Sequence, residues 1–240
     1  MTQKFSSSTS PKTKPLLIGL TGYAGVGKDT VADLMVKDYG FIRFAFADKL
    51  KNILSDIYNV PRQLFDDRAL KNEPCRELGW KTPREAAKLI GTEGFRNMIR
   101  RDTWVDFVMR QVEREMSNMD NHPGGIVITD VRFPEEFNAV VARGGFMIGV
   151  MRQDHETFIS HESESHIADL YERCHDLLHN NGPVEDLKFK VVRALGCIET
   201  LRDYGHKKEE AEFAADMGAR GTLPEYPHEG RGAQKRMGAA

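Results

Sequence analysis

The chain has few cysteines, no excess of basic residues and no long apolar run. Only three of its 240 residues are cysteines, Cys75, Cys174 and Cys197, and their spacing matches neither a zinc motif nor a disulfide framework. A reducing compartment is therefore expected. The 34 basic and 36 acidic residues give a formal net charge of −2, which argues against a protein whose main partner is nucleic acid. No apolar run approaches the ~20 residues that span a membrane, so we expect a cytoplasmic protein without a membrane partner.

The two ends of the chain differ in composition from its middle. Residues 1–15 are rich in Ser, Thr and Lys and can bury little apolar surface, so we expect a flexible leader. Residues 205–240 are rich in glycine and in charged groups, and we expect a flexible tail with one helical stretch over residues 207–217. The intervening residues, 16–204, are predicted to form one domain.

Short β-like runs alternate with helix-like stretches through the middle of the chain. This alternation predicts an α/β fold in which helices cover both faces of a parallel sheet. Residues 59–82 break the alternation and are predicted to be an insertion over one edge of the sheet. The predicted strands are 16–21, 41–46, 126–129, 146–151 and 176–179, and the predicted helices are 28–39, 49–58, 83–99, 104–119, 134–143, 165–173 and 184–202.

The most informative segment is a strand, a glycine loop and a helix in succession. Residues 22–30, GYAGVGKDT, match the phosphate-binding pattern G-x-x-x-x-G-K-[ST], except that Asp29 takes the Ser/Thr position. Glycines let backbone N–H groups close around a polyphosphate, and the helix adds its positive dipole end. Lys28 can bridge the β- and γ-phosphates during transfer. A glycine turn is common in α/β proteins, but the position of Lys28 favours a nucleoside triphosphate site, with ATP as the expected ligand.

Two carboxylates are candidates to bind Mg²⁺. Asp29 would be a charged ligand, directly or through water, while Thr30 could hydrogen-bond a phosphate. A second buried-type strand ends in Asp130, where a phosphate-loop protein places the acid that orients Mg²⁺. Because many strands end in Asp, the prediction for Asp130 depends on the glycine loop.

Cations gather at the predicted carboxyl-terminal edge of the sheet. Transfer to a phosphorylated acceptor requires a second anion site that faces the first. A single cation of this kind is more often a solvated surface residue, but the placement of Lys51, Arg132 and Arg152 at strand ends favours a ligand role. Asp48, on the same edge, could hold Mg²⁺ or the acceptor, or cap the following helix. The candidate cations are Lys49, Lys51, Arg84, Arg96, Arg132 and Arg152.

The motifs separate the classes of phosphate-loop protein only in part. A GTPase switch would be expected to show N-K-x-D and D-x-x-G, and the sequence contains neither. A motor would be larger or carry nucleic-acid-binding elements, which the charge balance does not suggest. A kinase of a small phosphorylated acceptor is left, together with an ATP-binding regulatory or assembly protein that hydrolyses ATP slowly.

Several motifs, taken together, resemble those of the bacteriophage deoxynucleoside monophosphate kinases, relatives of the nucleotide and dephospho-coenzyme A kinases. The resemblance runs from Leu16 to Arg202 and rests on residues 27–30, 46–51, 82–84, 91–93, 96, 104, 130–136, 161–164 and 180. It implies a P-loop NTPase fold, a three-layer α/β sandwich with an NMP-binding region near 48–119 and a lid near 152–173. It also implies Mg²⁺-dependent transfer from ATP to a deoxynucleoside monophosphate, supplying precursors for DNA synthesis, and a homodimer. A kinase of another phosphorylated metabolite, such as dephospho-coenzyme A, is the alternative.

The resemblance also assigns roles to individual residues. Arg152 and the polar segment 153–166 would form the lid, which excludes water and adds a cation over the transferring group. Trp104 could stack on a base, and a core tryptophan on an apolar helix face is an equal alternative. The catalytic candidates are Lys28, Asp130, Arg132 and Arg152, and the metal candidates are Asp29 and Asp130. The ATP candidates are Gly25, Val26, Gly27, Lys28, Asp29, Thr30 and Val31, and the acceptor candidates are Asp48, Lys51, Arg84, Arg96, Trp104, Arg132 and Glu136.

Overall fold

Five parallel strands form a single sheet in the order β2-β3-β1-β4-β5. The structure is a computed structural model of the chain, and it describes residues 15–118, 124–153 and 165–219. Because the strands are parallel, their carboxyl ends meet at one edge of the sheet. The strands are β1 (Leu16–Thr21), β2 (Phe41–Phe44), β3 (Gly125–Val131), β4 (Phe146–Met151) and β5 (Asp176–His179).

Helices connect the strands and cover both faces of the sheet. On one face, Leu17, Ile126 and Met147 pack in one apolar cluster with α4, α5 and α6. On the other face, Ile18 and Val127 are fully buried, and α1 contacts β2 and β3. The predicted three-layer α/β fold is therefore confirmed. The α-helices in the described residues are α1 (Lys28–Tyr39), α2 (Phe46–Tyr58), α3 (Pro83–Lys88), α4 (Thr103–Ser117), α5 (Pro134–Val141), α6 (Ile167–Glu172) and α7 (Val184–Ala219).

The insertion between α2 and α3 has a small core of its own. Three 3₁₀ turns, Arg62–Phe65, Leu70–Asn72 and Arg76–Leu78, replace regular structure there. Their apolar side chains pack against α2 and α3 in a cluster separate from the one under the sheet. The predicted single helix over 83–99 is wrong, because α3 ends at Lys88 and the chain continues as a π-helical segment, Leu89–Ile99.

Other element boundaries also differ from prediction. β2 ends at Phe44 and α2 begins at Phe46, so the predicted strand end and helix start both move toward the amino terminus. At the other end of the chain, α7 continues beyond the predicted end at residue 202 and includes the helical stretch expected at 207–217. None of the described helices is both long and apolar enough to cross a membrane.

The chain divides into two units, Met1–Gly196 and Cys197–Ala240. The first contains the sheet and all the residues discussed below. The described part of the second is the continuation of α7. Most of the predicted leader, the end of the predicted tail, and most of the polar segment expected to form the lid, including residues 161–164, lie outside the described residues.

Candidate functional site

The glycine loop between β1 and α1 has the shape of a phosphate cradle. Gly25 and Gly27 have φ angles of 87° and 108°, in the left-handed region that favours glycine. The Lys28 side chain is almost fully buried, and its Nζ donates to the carbonyl oxygens of Gly22, at 2.6 Å, and Tyr23, at 2.7 Å. The loop therefore curls around the ammonium group, leaving Asp29 exposed and Thr30 half-buried at the start of α1. Two of the ATP candidates, Val26 and Val31, have side chains that are buried in the core.

Asn180, directly after β5, fixes the glycine loop from the side. Its Nδ2 donates to the carbonyl oxygen of Val26 at 2.9 Å. A Cβ on Gly27 would lie only 2.3 Å from the same nitrogen. The contact with Asn180 therefore requires glycine at position 27. Beside Asn180 is a cleft of about 440 Å³, lined by Met151, Arg152, Gln153, His179 and Asn181. Arg152, exposed directly after β4, thus lines a cleft whose other lining residues include the two neighbours of Asn180 in the chain.

The carboxylate of Asp29 is held by a residue that was not among the candidates. Arg43, on β2, donates from Nη2 to Asp29 and from Nη1 to Asp33, one turn further along α1. Both aspartate side chains are 70% exposed, and that of Arg43 is 37% exposed. The predicted metal ligand Asp29 is therefore an ion-paired group in this structure.

Asp130 lies at the end of β3, as expected, but its carboxylate has a structural role. Its two oxygens accept the backbone N–H groups of Phe46, at 2.7 Å, and Ala47, at 3.0 Å, which are the first two residues of α2. Asp48 is close by, and its carboxylate accepts from Arg62 at 2.8 Å. Burial, and then the negative charge of Asp130, raise the pKa of Asp48. Two carboxylates therefore repel each other at the start of α2.

A group of four cations, Lys51, Arg68, Lys71 and Arg84, lies between the insertion, α2 and α3; we call it the cation cluster. Burial, and then the positive charges of Arg84, Lys51 and Arg68, lower the pKa of Lys71. The carboxylate of Asp29 opposes this shift, so Lys71 is within electrostatic reach of the first turn of α1. Lys51 has a carboxylate partner, Asp66, at 3.0 Å. The cation cluster thus gathers positive charge, and its Lys71 lies within electrostatic reach of Asp29 at the start of α1.

The acceptor candidates near β3 include one that is placed differently from expectation. Glu136 is buried, and its Oε2 accepts the backbone N–H groups of Arg132, at 2.7 Å, and Phe133, at 3.0 Å. Burial, and then the charge of Asp130, raise the pKa of Glu136 to about 8. Glu136 is therefore not a group that lines an open acceptor site; it shapes the turn that carries Arg132.

Arg96 and Trp104, also acceptor candidates, are packed into the structure. Arg96 is 5% exposed, lies 3.8 Å above the ring of Phe133 and forms an ion pair with Glu135 at 2.8 Å. Trp104 packs against both apolar clusters, and its Nε1 donates to the carbonyl oxygen of Gly91 at 3.0 Å. These contacts favour the alternative in which Trp104 is a core residue.

The described end of the segment predicted as a lid is also packed. Ile167 and Leu170 of α6 are fully buried in the cluster beneath the sheet. Arg152 and Gln153, at the start of the segment, are exposed, as are Ala168, Asp169, Glu172 and Arg173 on the outer side of α6 and just after it. The predicted range 152–173 therefore includes a core helix at its carboxyl-terminal end.

Three residues of the site were missed as ligands or positioning groups: Arg43, Lys71 and Asn180. Arg43 had a signal, since a single charged residue stands in the otherwise apolar strand FIRF. Lys71 had none, because it lies in a 3₁₀ turn of the insertion and meets the other cations only in the folded chain. Asn180 was among the residues that carry the resemblance, but no role was predicted for it.

Comparison with known proteins points to a kinase family. The family model of deoxynucleotide monophosphate kinase matches residues 75–191. A protein of Acanthamoeba polyphaga mimivirus, described as a candidate deoxynucleotide monophosphate kinase, is 26% identical over 197 residues, which cover 77% of this chain and 96% of the viral protein.

Solved structures give weaker similarities. Shikimate kinase from Aquifex aeolicus has a TM-score of 0.45 at 11% identity and covers 75% of this chain and 96% of its own. TT1252 from Thermus thermophilus has a TM-score of 0.42 at 20% identity and covers 78% of this chain and 98% of its own. The fold assignment rests on the sheet order and the glycine loop. The match over residues 75–191 and the similarity to the viral protein identify the chain as a nucleotide kinase that resembles the deoxynucleotide monophosphate kinases.

Proposed function

We propose that the protein transfers the γ-phosphoryl group of ATP to a deoxynucleoside monophosphate, giving ADP and a deoxynucleoside diphosphate. The observation that carries this proposal is the buried Lys28 in its glycine loop, with a cation of the cation cluster within electrostatic reach of the helix that follows the loop. Lys71 of that cluster is within electrostatic reach of Asp29, on the loop's own helix. A polyphosphate on the loop and a monophosphate on the cluster would therefore bring two phosphates together, as in-line transfer requires.

The residues around the two phosphates suit this reaction. The Lys28 ammonium, held by two carbonyl oxygens, would turn to the phosphate oxygens of ATP and follow their charge during transfer. The cation cluster would hold the acceptor phosphate by charge-assisted hydrogen bonds. Arg132 is half-buried at the end of β3 and would bridge the two phosphates. A phosphate oxygen of the acceptor needs no general base, so the residues of the site need only position the two phosphates and neutralise their negative charge.

The carboxylates at this edge of the sheet fit a magnesium ion. Mg²⁺ prefers oxygen ligands and is usually held by one or two carboxylates together with water and phosphate. Asp130 and Asp48 repel each other, and this repulsion contributes to the raised pKa of Asp48. A divalent cation bound near both carboxylates would remove the repulsion. Each Asp130 oxygen can accept beyond its one backbone N–H. When bound with ATP, the ion would neutralise charge on the β- and γ-phosphates.

The cleft beside Asn180 would take the adenosine part of ATP. Its volume of about 440 Å³ suits a nucleoside, and Met151 and His179 give it apolar and aromatic surface. Arg152 lies on the rim of the cleft and could cover either the base or the phosphates. This placement puts the donor on the β4-β5 side of the glycine loop and the acceptor on the β2 side.

A coupled assay of ADP release with each of the four deoxynucleoside monophosphates tests the proposal. We expect release with at least one of them and none with dephospho-coenzyme A. Arg132→Ala should lower kcat/KM by roughly 100-fold or more while ATP affinity changes little, because the bridging cation acts on the transferring group. Arg143→Ala, on an exposed arginine that pairs with Glu113, is the matched control.

Normal ATP binding without ADP release from any monophosphate would contradict the proposed reaction and favour a regulatory ATP-binding protein. Release with dephospho-coenzyme A alone would favour the alternative acceptor. The wider role, supply of precursors for viral DNA synthesis, is supported by the mimivirus relative. The homodimer implied by the resemblance stays a prediction, which sedimentation analysis would check.

A further inference from the structure

Arg43 joins two carboxylates of α1 in a fork. Its Nη1 lies 3.0 Å from Asp33 Oδ1, and its Nη2 contacts Asp29 Oδ1 at hydrogen-bond distance. β2, which carries Arg43, is the edge strand next to β3, and α1 contacts both strands. The fork therefore holds Asp29 toward the β2 side of the helix.

The charge of Asp29 poses a problem for a phosphate loop. Its carboxylate occupies the position at which the sequence pattern has a neutral hydroxyl, directly after Lys28. A carboxylate there would repel the phosphates of ATP unless a cation neutralised it. Two cations of the described residues face Asp29: Arg43, by direct contact, and Lys71, by electrostatic reach.

We propose that Arg43 is a positioning residue that neutralises Asp29 and keeps its carboxylate away from the phosphate path until ATP arrives with Mg²⁺. When Mg²⁺ is bound with ATP, Asp29 would be a further carboxylate that holds the ion, directly or through water, and Arg43 would keep Asp33 as its partner. This inference rests on the proposed binding of ATP with Mg²⁺ and adds Asp29 to the carboxylates proposed above for the ion.

The test measures ATP affinity by calorimetry, once with excess Mg²⁺ and once with EDTA. In Arg43→Gln, we expect metal-free ATP to bind roughly three- to tenfold more weakly, because Asp29 is left unpaired beside the phosphates. Affinity for ATP with Mg²⁺ should change less than about twofold, because the ion takes over the neutralisation. Arg43→Lys keeps the positive charge and should recover most of the metal-free affinity.

Two further variants separate this role from a structural one. Asp33→Asn removes only the ion pair between Arg43 and Asp33. The ratio of ATP affinity with Mg²⁺ to ATP affinity without it should stay as in the wild type, because Arg43 still neutralises Asp29. In an Asp29→Asn background, Arg43→Gln should have no effect on that ratio, since the carboxylate it serves is gone. Thermal unfolding of each variant checks that the fold is retained.

The inference is overturned if Arg43→Gln weakens ATP equally with and without Mg²⁺, or if its effect persists in the Asp29→Asn background. An Asp33→Asn variant that reproduces Arg43→Gln would likewise overturn it. A wild-type protein that binds no ATP in either condition would instead refute the proposed function, so the two failures are distinguishable.

Discussion

Lys71 is the residue on which the proposed acceptor site most depends. Its ammonium lies among three other cations, and burial together with their charges lowers its pKa. Such an arrangement costs folding free energy, because a charged amine is partly desolvated and repelled. A phosphate bound in the cation cluster would remove this repulsion. Under the proposed function, the cost of this repulsion in the free protein would be offset by the bound acceptor phosphate.

Lys71→Met should therefore weaken binding of the acceptor without lowering the stability of the folded protein. We expect KM for the deoxynucleoside monophosphate to rise roughly 10- to 100-fold, as for loss of a charged hydrogen bond, with ATP affinity nearly unchanged. The melting temperature should stay the same or rise, because the variant removes a repelled charge and keeps an apolar stem. Lys37→Met, on the exposed last turn of α1, is the control. A lower melting temperature with unchanged KM would assign Lys71 a structural role.

The buried carboxyl group of Glu136 should make the stability of the protein depend on pH. Burial raises its pKa to about 8 in the folded protein, against 4.5 for an ordinary glutamate. Between these two values the folded state holds a proton that the unfolded state releases. The free energy of unfolding should therefore fall as the pH rises from about 5 to 8, by at most about 1.4 kcal/mol per pH unit from this group.

Glu136→Gln should remove this contribution while its amide oxygen still accepts the N–H groups of Arg132 and Phe133. Urea unfolding at pH 5, 6.5 and 8 measures the effect: the wild type should lose stability relative to the variant as the pH rises. Glu172→Gln, on the exposed face of α6, should run parallel to the wild type. Parallel curves for Glu136→Gln would contradict a buried, protonated carboxyl.

At the scale of elements, α2 shows how a helix can begin without a local signal. Ala45, at its N-cap, has no side-chain acceptor, and the first two N–H groups of the helix bond instead to Asp130, more than 80 positions further along the chain. A sequence-based prediction looks for Ser, Thr, Asp or Asn at the cap itself. It therefore starts the helix late, at residue 49, because the true cap comes from β3.

The remote cap can be tested by stability alone. Asp130→Ala should lower the free energy of unfolding by about 1–2 kcal/mol in the absence of nucleotide, the usual cost of losing a helix cap. Asp130→Asn, which keeps one carbonyl oxygen, should cost about half as much. Asp56→Ala, at an exposed position near the end of the same helix, should cost little. If Asp130→Ala matched Asp56→Ala, the cap would not contribute to stability.

The π-helical segment Leu89–Ile99 is another element that the sequence could not predict. Its apolar spacing continues that of α3, so a single helix is the natural prediction. The wider turns depend on tertiary contacts: a Cβ on Gly91 would lie 2.4 Å from Leu50 Cδ2, and the Gly91 carbonyl oxygen accepts from Trp104. Elements fixed by local pattern, such as α1 with its glycine loop, were predicted to the residue.

For the whole molecule, the sheet order determines where the two substrates can lie. The glycine loop follows the central strand β1, with β4 and β5 on one side and β3 and β2 on the other. The alternation of elements predicted a parallel sheet and hence one functional edge. It did not predict that the insertion would bring Lys71 to this edge, because such a contact depends on how the 3₁₀ turns pack on α2 and α3.

A molecule with a donor side and an acceptor side should respond to a ligand that spans both. We expect adenosine and deoxythymidine joined by five phosphates to raise the melting temperature more than ATP and the monophosphate together. At 100 times its Kd, such a ligand would add about 2.7 kcal/mol, or about 5–10 °C for a protein of this size. Differential scanning fluorimetry measures the shift.

Two variants assign the shift to the two sides. Asn180→Ala releases the glycine loop and should reduce the shift caused by ATP as well as that caused by the bisubstrate ligand. Lys71→Met should reduce the bisubstrate shift much more than the ATP shift, because Lys71 would contact the acceptor phosphate while Arg43 still neutralises Asp29. If both variants reduced both shifts equally, the two ligands would occupy a single site, and the division of the functional edge into donor and acceptor sides would be wrong.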